Sequence, residues 1–117
     1  MSRGFSGFPG GGNMQAMLQQ AQKMQQQLQV EVEKAKADIA AFEAEGQAGG
    51  GLVKVTVNGA CEMTKIEIKP EVIDPTDKEM LQDLIKVATN EATLKVRTFE
   101  KDRMAKATGG LPIPGLA

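Results

Sequence analysis

Residues 51–59 read GLVKVTVNG, and residues 64–69 read TKIEIK. In both stretches β-branched and other apolar residues alternate with polar ones, which is the pattern of a strand with one buried face. Asn58-Gly59, between the two stretches, is a strong hairpin signal and predicts a type I′ turn. The buried face of the hairpin is expected to carry the apolar residues of both strands: Val53, Val55, Val57, Ile66 and Ile68.

The segment upstream of the hairpin predicts a long helix. No Gly or Pro occurs between Met14 and Gly46, and Asn13 is a suitable N-cap residue. Apolar residues recur at alternating steps of four and three, with Gln25 at the one polar position of the series, which is typical of a coiled-coil seam rather than a broad globular stripe. Residues 42–47 fit either the end of this helix or a first strand. The seam consists of Met14, Leu18, Ala21, Leu28, Val32, Ala35, Ile39 and Phe42.

The segment downstream of the hairpin predicts a second long helix. Residues 76–79 (TDKE) fit the capping-box pattern, in which Ser or Thr is followed by Glu three residues later. The helix is expected to end at Gly109-Gly110. The fold class is therefore α+β: a long helix, a small antiparallel sheet of two or three strands, and a long helix. The apolar stripe of the second helix consists of Leu81, Leu84, Ile85, Ala88, Ala92, Val96 and Phe99.

The composition predicts one domain between two irregular ends. Residues 1–12 are Gly-rich and are expected to be a disordered N-terminus, and residues 108–117 (TGGLPIPGLA) a flexible Pro/Gly tail. Such a tail could also serve as a short peptide ligand with polyproline II character. The domain itself is expected to span residues 13–107.

Several function classes are disfavoured by the residue types. The chain has no His and a single cysteine, Cys61, so the usual general base, an internal disulfide and a Cys-based zinc site are all missing. No nucleophile is paired with a base and no phosphate-binding glycine loop precedes a helix. We therefore expect no enzyme activity, no metal, no cofactor and no small-molecule substrate. No membrane span or secretory signal is expected either, which favours the cytoplasm.

The element lengths predict projecting arms. Helices of about 30 residues are about 45 Å long, whereas strands of six to eight residues span only about 20–27 Å. Both helices must therefore extend beyond the sheet, and they can lie antiparallel in one arm, seam against stripe. The small sheet would leave an apolar face or an open edge, which favours a homodimer with a compact β centre and two helical arms.

Basic residues concentrate towards both ends of the chain. Residues 1–30 hold two basic residues and no acids, residues 31–91 hold 7 basic and 13 acidic residues, and residues 92–117 hold five basic and two acidic residues. In antiparallel helices the first and last segments would meet at the arm tip, where they could hold a phosphate backbone. Ordinary solvated helix faces are the alternative. The candidate DNA-binding residues are Arg3, Lys23, Lys95, Arg97, Lys101, Arg103 and Lys106.

Four stretches of the chain resemble the YbaB/EbfC family of nucleoid-associated proteins. They are the hairpin at residues 51–60 (GLVKVTVNGA), the strand at 65–68 (KIEI), the helix start at 77–84 (DKEMLQDL) and the Met- and Gln-rich opening at 14–25 (MQAMLQQAQKMQ). The resemblance covers essentially residues 13–107. It implies an α+β fold and a tweezer-shaped homodimer with protruding helical arms.

The function that this resemblance implies is binding of double-stranded DNA. Such binding would alter DNA conformation and contribute to nucleoid organisation and gene regulation. The resemblance carries no catalytic residues and no cofactor.

A coiled-coil adaptor is the alternative function, in which the Met- and Gln-rich first helix binds a protein partner, since methionine surfaces adapt to partners. The competing structural explanation is that Met14, Met17 and Met24 pack against the second helix. Charge reversal at Lys101 and Arg103 would impair a DNA-binding protein and spare an adaptor.

Overall fold

The structure is a computed structural model that describes residues 10–110, with side chains from Asn13 onward. Arg3, most of the N-terminal segment and the tail from Leu111 lie outside the described residues. The order of elements confirms the predicted α+β class. The elements are helix α1 (Gly10–Ala41), strands β1 (Glu43–Ala48), β2 (Val53–Asn58) and β3 (Met63–Ile68), a 3₁₀ turn (Pro70–Val72) and helix α2 (Lys78–Thr108).

The sheet is antiparallel in the order β1-β2-β3. Residues 43–48 therefore form a strand rather than the end of α1. Along β1 the small residues Ala44, Gly46 and Ala48 are buried and the polar residues between them are exposed. Strand β2 pairs with β3 so that Val53 faces Ile68 and Val55 faces Ile66, as the alternation predicts.

The turn after β2 differs from the predicted type I′ turn. The connection is longer, because β3 begins at Met63 and Cys61 adopts the left-handed conformation with a φ of 60°. The Asn58 side chain holds the loop, since its Oδ1 accepts hydrogen bonds from the Ala60 and Glu62 amides, both at 3.0 Å. Gly59 has no positive φ; it is required because a Cβ atom there would overlap the carbonyl oxygen of Ile39.

Both helices begin at positions other than the predicted ones. Helix α1 already starts at Gly10, so Asn13 lies inside its first turn. The N-cap of α2 is Asp77, whose side chain accepts from the Met80 amide at 3.2 Å. Thr76 lies one position before this N-cap, and its hydroxyl donates to Asp74 Oδ1 at 2.7 Å. The C-cap prediction is confirmed, because α2 ends at Thr108 and Gly109 is left-handed.

The core lies between α2 and two of the three strands. Val53, Val55 and Val57 of β2 are at most 1% exposed, and they pack with Ala88, Ala92 and Val96 of α2. The alanines let the helix approach the sheet closely.

Helix α2 crosses β1 and β2, and β3 lies beyond its main contact with the sheet. Ile66 shares the inner face of the sheet with Val55, but it is 41% exposed, so its predicted burial is wrong for the single subunit.

Helices α1 and α2 run antiparallel, as expected, but they overlap over only part of α1. The rings of Phe42 and Phe99 stack with centroids 3.9 Å apart, and Arg103 Nε donates to Asp38 Oδ2 at 2.8 Å. Ala35 and Ile39 are buried in this overlap. The prediction that Met14, Met17 and Met24 pack against the second helix is wrong, because each is at least 63% exposed.

Among the described residues, neither helix carries an apolar stretch of sufficient length for a membrane span.

Candidate nucleic-acid interface

Helix α1 extends well past the end of α2. The pairs Phe42–Phe99 and Asp38–Arg103 fix the register of the two helices. At equal rise along both helices, Thr108 lies opposite about residue 33 of α1. The preceding part of α1, about 20 residues and about 30 Å long, therefore projects as a single helix. The molecule is correspondingly elongated, with principal extents of 92 × 21 × 19 Å.

In the arm part of α2, from residue 97 to its end, three basic side chains are exposed and available to an anionic ligand. Arg97, Lys101 and Lys106 form no ion pair within residues 13–110. Arg97 and Lys101 are four residues apart and so lie on one face of the helix. Lys106 is in the last turn of α2, where a cation also interacts favourably with the negative end of the helix dipole.

Two other predicted residues are engaged within the fold. Lys95 Nζ donates to the main-chain oxygen of Glu45 in β1 at 2.8 Å and lies 3.4 Å from Glu91 Oε1. It is thus held against the sheet rather than at the arm tip. Arg103 is only 19% exposed at its side chain and pairs with Asp38 across the two helices. Its charge is compensated at the helix–helix contact.

Lys23 lies on the single-helix part of α1. It is about 10 residues beyond the level at which α2 ends, or about 15 Å along the helix. The structure therefore does not bring the predicted basic residues into one cluster: Lys106 and Lys23 are spread along the arm, and Arg3 is outside the described residues.

Two lysines of α1 lie beside the last turn of α2 and were not among the predicted site residues. Lys34 and Lys36 are exposed and pair with Glu31 and Glu33 within their own helix at 3.6 and 3.7 Å. Exposed pairs of this kind contribute little and are screened by salt, so phosphate oxygens could compete for both lysines. Only the register of the two helices identifies them, since in the sequence they fall within the acidic middle segment.

The charge differs in sign between the arm and the body. Residues 13–41 and 97–108, which build the arm, hold seven basic and five acidic residues. Residues 42–96, which build the sheet and its covering helix, hold six basic and ten acidic residues. The arm therefore carries a net charge of +2 and the body a net charge of −4. This difference is smaller than the one between the terminal and middle segments of the sequence, but again the arm is positive and the body negative.

The outer face of the sheet is charge-compensated. Lys65 Nζ lies 2.8 Å from Glu67 Oε1. Their hydrogen bond and attraction raise the pKa of Lys65 and lower the pKa of Glu67. Both residues are ionised near neutral pH and neutralise each other. This face offers no excess positive charge to an anionic ligand.

Known proteins match this chain over nearly its whole length. The sequence model of the YbaB/EbfC DNA-binding family matches residues 10–111. A nucleoid-associated protein of Alkaliphilus metalliredigens is 48% identical, with 97% of this chain and 96% of that protein aligned. A second nucleoid-associated protein, from Clostridium acetobutylicum, is 51% identical over 94% of this chain and 96% of its own length.

The fold also has a counterpart among solved structures. The crystal structure of an uncharacterized protein from Helicobacter pylori superposes with a TM-score of 0.60 at 23% identity, covering 72% of this chain and 88% of the other. The family match spans both helices and the whole sheet. The two nucleoid-associated relatives are about half identical to this chain in sequence. The chain belongs to the YbaB/EbfC DNA-binding family.

Proposed function

We propose that this protein is a nucleoid-associated protein of the cytoplasm that binds double-stranded DNA as a homodimer, largely without sequence specificity. Binding uses the exposed basic residues of its helical arms, alters DNA conformation and influences nucleoid organisation and gene expression. The proposal rests on the exposed cations of the net positive arm that form no ion pair within residues 13–110: Lys23, Arg97, Lys101 and Lys106.

The charge distribution suits contacts with phosphates rather than with bases. Lysine and arginine contacts to phosphate release counterions and supply affinity without sequence information. The acidic body would repel DNA, so that the arms meet the duplex first. Phe42 and Phe99, the aromatic residues of the described part of the chain, stack on each other, so neither ring is presented there for stacking on a base, which favours duplex over single-stranded DNA.

A second copy of the chain is expected to cover the apolar part of β3. Met63 and Ile66 face the same side of the sheet as the buried valines of β2, but they are 45% and 41% exposed. Because β3 is an edge strand, its outer main-chain groups are also open to pairing. A homodimer through this strand would bury both features and place two arms on one particle.

The proposal is tested by fluorescence anisotropy of a labelled 30-base-pair duplex across a salt series. Wild-type affinity should fall log-linearly with salt and depend little on sequence. In the variant R97Q/K101Q/K106Q the slope should be shallower by about 0.9 for each phosphate contact that is lost. The matched control is K69Q/K78Q/K86Q, which removes the same charge from exposed lysines of the body.

If both triple variants lose the same DNA affinity, binding through the arm is contradicted and a general effect of charge is indicated. Absence of wild-type binding at low salt would exclude DNA binding by the protein alone. The coiled-coil adaptor would then be the better explanation, and polar substitutions at Met17 and Met24 should abolish partner binding.

A further inference from the structure

Strand β1 has an outer edge at which the sheet could add a further strand. The strand order makes β1 and β3 the two edge strands of the sheet. The Asn58 amide donates to Glu62 O at 2.9 Å, so the even-numbered residues of β2 bond towards β3. Because bonding directions alternate along an antiparallel strand, the odd-numbered residues bond towards β1. Val55 pairs with Gly46 in this way, and the neighbouring Glu45 therefore directs its main-chain groups out of the sheet.

A side chain of α2 already occupies the outward oxygen of Glu45. Lys95 Nζ donates to Glu45 O at 2.8 Å and lies 3.4 Å from Glu91 Oε1. Glu91 precedes Lys95 by four residues and shares its face of α2. Hydrogen bonds from an ammonium group are about twice as strong as neutral ones. The amide of an added strand would have to take the position of this ammonium group, so the incoming strand must first displace Lys95.

Helix α2 also presents apolar side chains on the side of the sheet where Lys95 lies. Val87 and Leu94 are 53% and 65% exposed. They lie four residues before and three residues after Glu91, so the three side chains are neighbours on the helix surface. A strand paired with β1 could pack its own apolar residues against Val87 and Leu94. This edge therefore offers both the main-chain groups and the apolar cover that an added strand requires, except where Lys95 is in the way.

The edge of β1 determines whether assembly stops at the homodimer proposed above. If β3 pairs with its copy, the joined sheet runs from β1 of one subunit to β1 of the other, and both of its free edges are β1 strands. An open β1 edge could pair with the β1 edge of another dimer. Every added dimer would bring one further free edge, so that the series would not close.

We propose that Lys95 closes the β1 edge against a second β1 strand and thereby limits assembly to a closed dimer. The limit of two subunits rests on the proposed homodimer, whereas closure of the edge rests on the bond between Lys95 and Glu45 alone. Glu43 and Glu45, both exposed on the outer face, add a second barrier, because like charges of two paired β1 strands would face each other. The role of Lys95 is thus in assembly rather than in contact with DNA.

Sedimentation velocity over a series of protein concentrations tests the role of Lys95. K95M keeps a side chain of similar length and removes the donor. K86M, the matched control, makes the same change at an exposed lysine on the opposite side of α2. In high salt, which screens the carboxylates, K95M should form species larger than the wild type, with an association constant roughly tenfold higher. K95M that sediments like the wild type, or equal association of K86M, would overturn the proposal.

A second variant tests whether the larger species use the β1 edge. The Glu45 amide points out of the sheet, so a proline at this position breaks no hydrogen bond of the sheet and prevents pairing at the edge. K95M/E45P should therefore return to the sedimentation behaviour of the wild type, and continued association would overturn the proposal. Both comparisons are made with the wild type. A monomeric wild type would contradict the proposed homodimer, whereas closure of the edge would still be tested by the gain in mass of K95M.

Discussion

At the residue scale, Gly46 determines how closely β1 can approach α2. A Cβ atom at this position would overlap the carbonyl oxygen of Ala88 and lie 2.6 Å from the amide nitrogen of Ala92. Both are main-chain atoms of a helix and cannot move without shifting α2 from the sheet. The glycine is therefore required by packing, whereas in the sequence it reads as a strand or helix breaker.

Gly46→Ala should lower the free energy of unfolding by about 3 kcal/mol, because it overpacks the interface between α2 and the sheet. Urea denaturation at one fixed protein concentration measures the change. Gly50→Ala is the control: Gly50 has open space around it and a φ of 70°, so that alanine should cost only about 1 kcal/mol of conformational strain. Similar losses in the two variants would contradict the packing explanation.

Arg103 and Lys101 illustrate how two neighbouring cations can have different roles. Arg103 is bound to Asp38 between the helices, whereas Lys101 is exposed without an ion pair in the described chain. Arg103→Gln should lower the free energy of unfolding by about 1 kcal/mol, after allowance for solvent screening, and change the salt dependence of DNA binding little. Lys101→Gln should leave the free energy of unfolding nearly unchanged and make the salt dependence of DNA binding shallower. Urea denaturation measures the first quantity and fluorescence anisotropy the second. A larger binding loss for Arg103→Gln would mean that Arg103 leaves Asp38 to contact DNA.

At the scale of secondary-structure elements, the start of α2 depends on Asp77 rather than on the predicted capping box. Asp77→Ala should destabilise the protein by about 1 kcal/mol, because the amide of Met80 loses its acceptor. Asp77→Asn should retain most of the stability, since Asn also caps well. Thermal or urea unfolding distinguishes these outcomes. A loss on Glu79→Ala as large as that on Asp77→Ala would instead indicate that Glu79 takes part in the cap.

The carboxyl of Asp74, in the turn before α2, should make the stability of the protein depend on pH in the acidic range. The hydroxyl and the amide of Thr76 both donate to Asp74, which lowers the pKa of Asp74 below its ordinary value of 3.8. A carboxyl with a depressed folded-state pKa contributes stability above its unfolded value, and this contribution is lost as the pH falls through the folded value. NMR titration should place Asp74 below 3.8 and Thr76→Val should raise its pKa; an unchanged value would show that the hydroxyl bond is absent in solution.

The elements themselves differ in how well the sequence predicts them. The hairpin of β2 and β3 and both helices follow from periodicity, because their apolar residues are large and regularly spaced. The sequence does not distinguish strand β1 from a helix end, since its buried positions are Ala44, Gly46 and Ala48, which have low strand propensity. The capping-box pattern points to Thr76, one position before the actual cap, because Thr76 and Asp77 are both good capping residues and a local pattern does not tell which of two adjacent candidates accepts the helix amide, here Asp77 from Met80.

At the scale of the whole molecule, the register between α1 and α2 determines which charges meet. The sequence predicts antiparallel helices, but not that Phe42 stacks on Phe99. That contact places Lys95 against the sheet and leaves a long part of α1 without a partner helix. Lys34 and Lys36 instead come beside the last turn of α2. Candidate cations are thus recognisable from the sequence, whereas their grouping depends on contacts between residues far apart in the chain.

The proposed homodimer predicts a specific loss of assembly when the apolar side of β3 becomes polar. In solution the wild-type chain should have twice the 12.5 kDa mass of one subunit. M63Q/I66Q should have the single mass, because it removes the exposed apolar side chains that a second copy would cover. Sedimentation equilibrium distinguishes the two masses.

The matched control is K65Q/E67Q, which changes the other side of the same strand without altering net charge and removes the ion pair of Lys65 and Glu67. This variant should remain dimeric. Monomeric M63Q/I66Q should also bind DNA more weakly, even though every cation of its arm is intact, because a second arm on one particle binds at a high effective concentration. A monomeric variant with full affinity would show that single arms suffice, and a monomeric wild type would exclude the dimer.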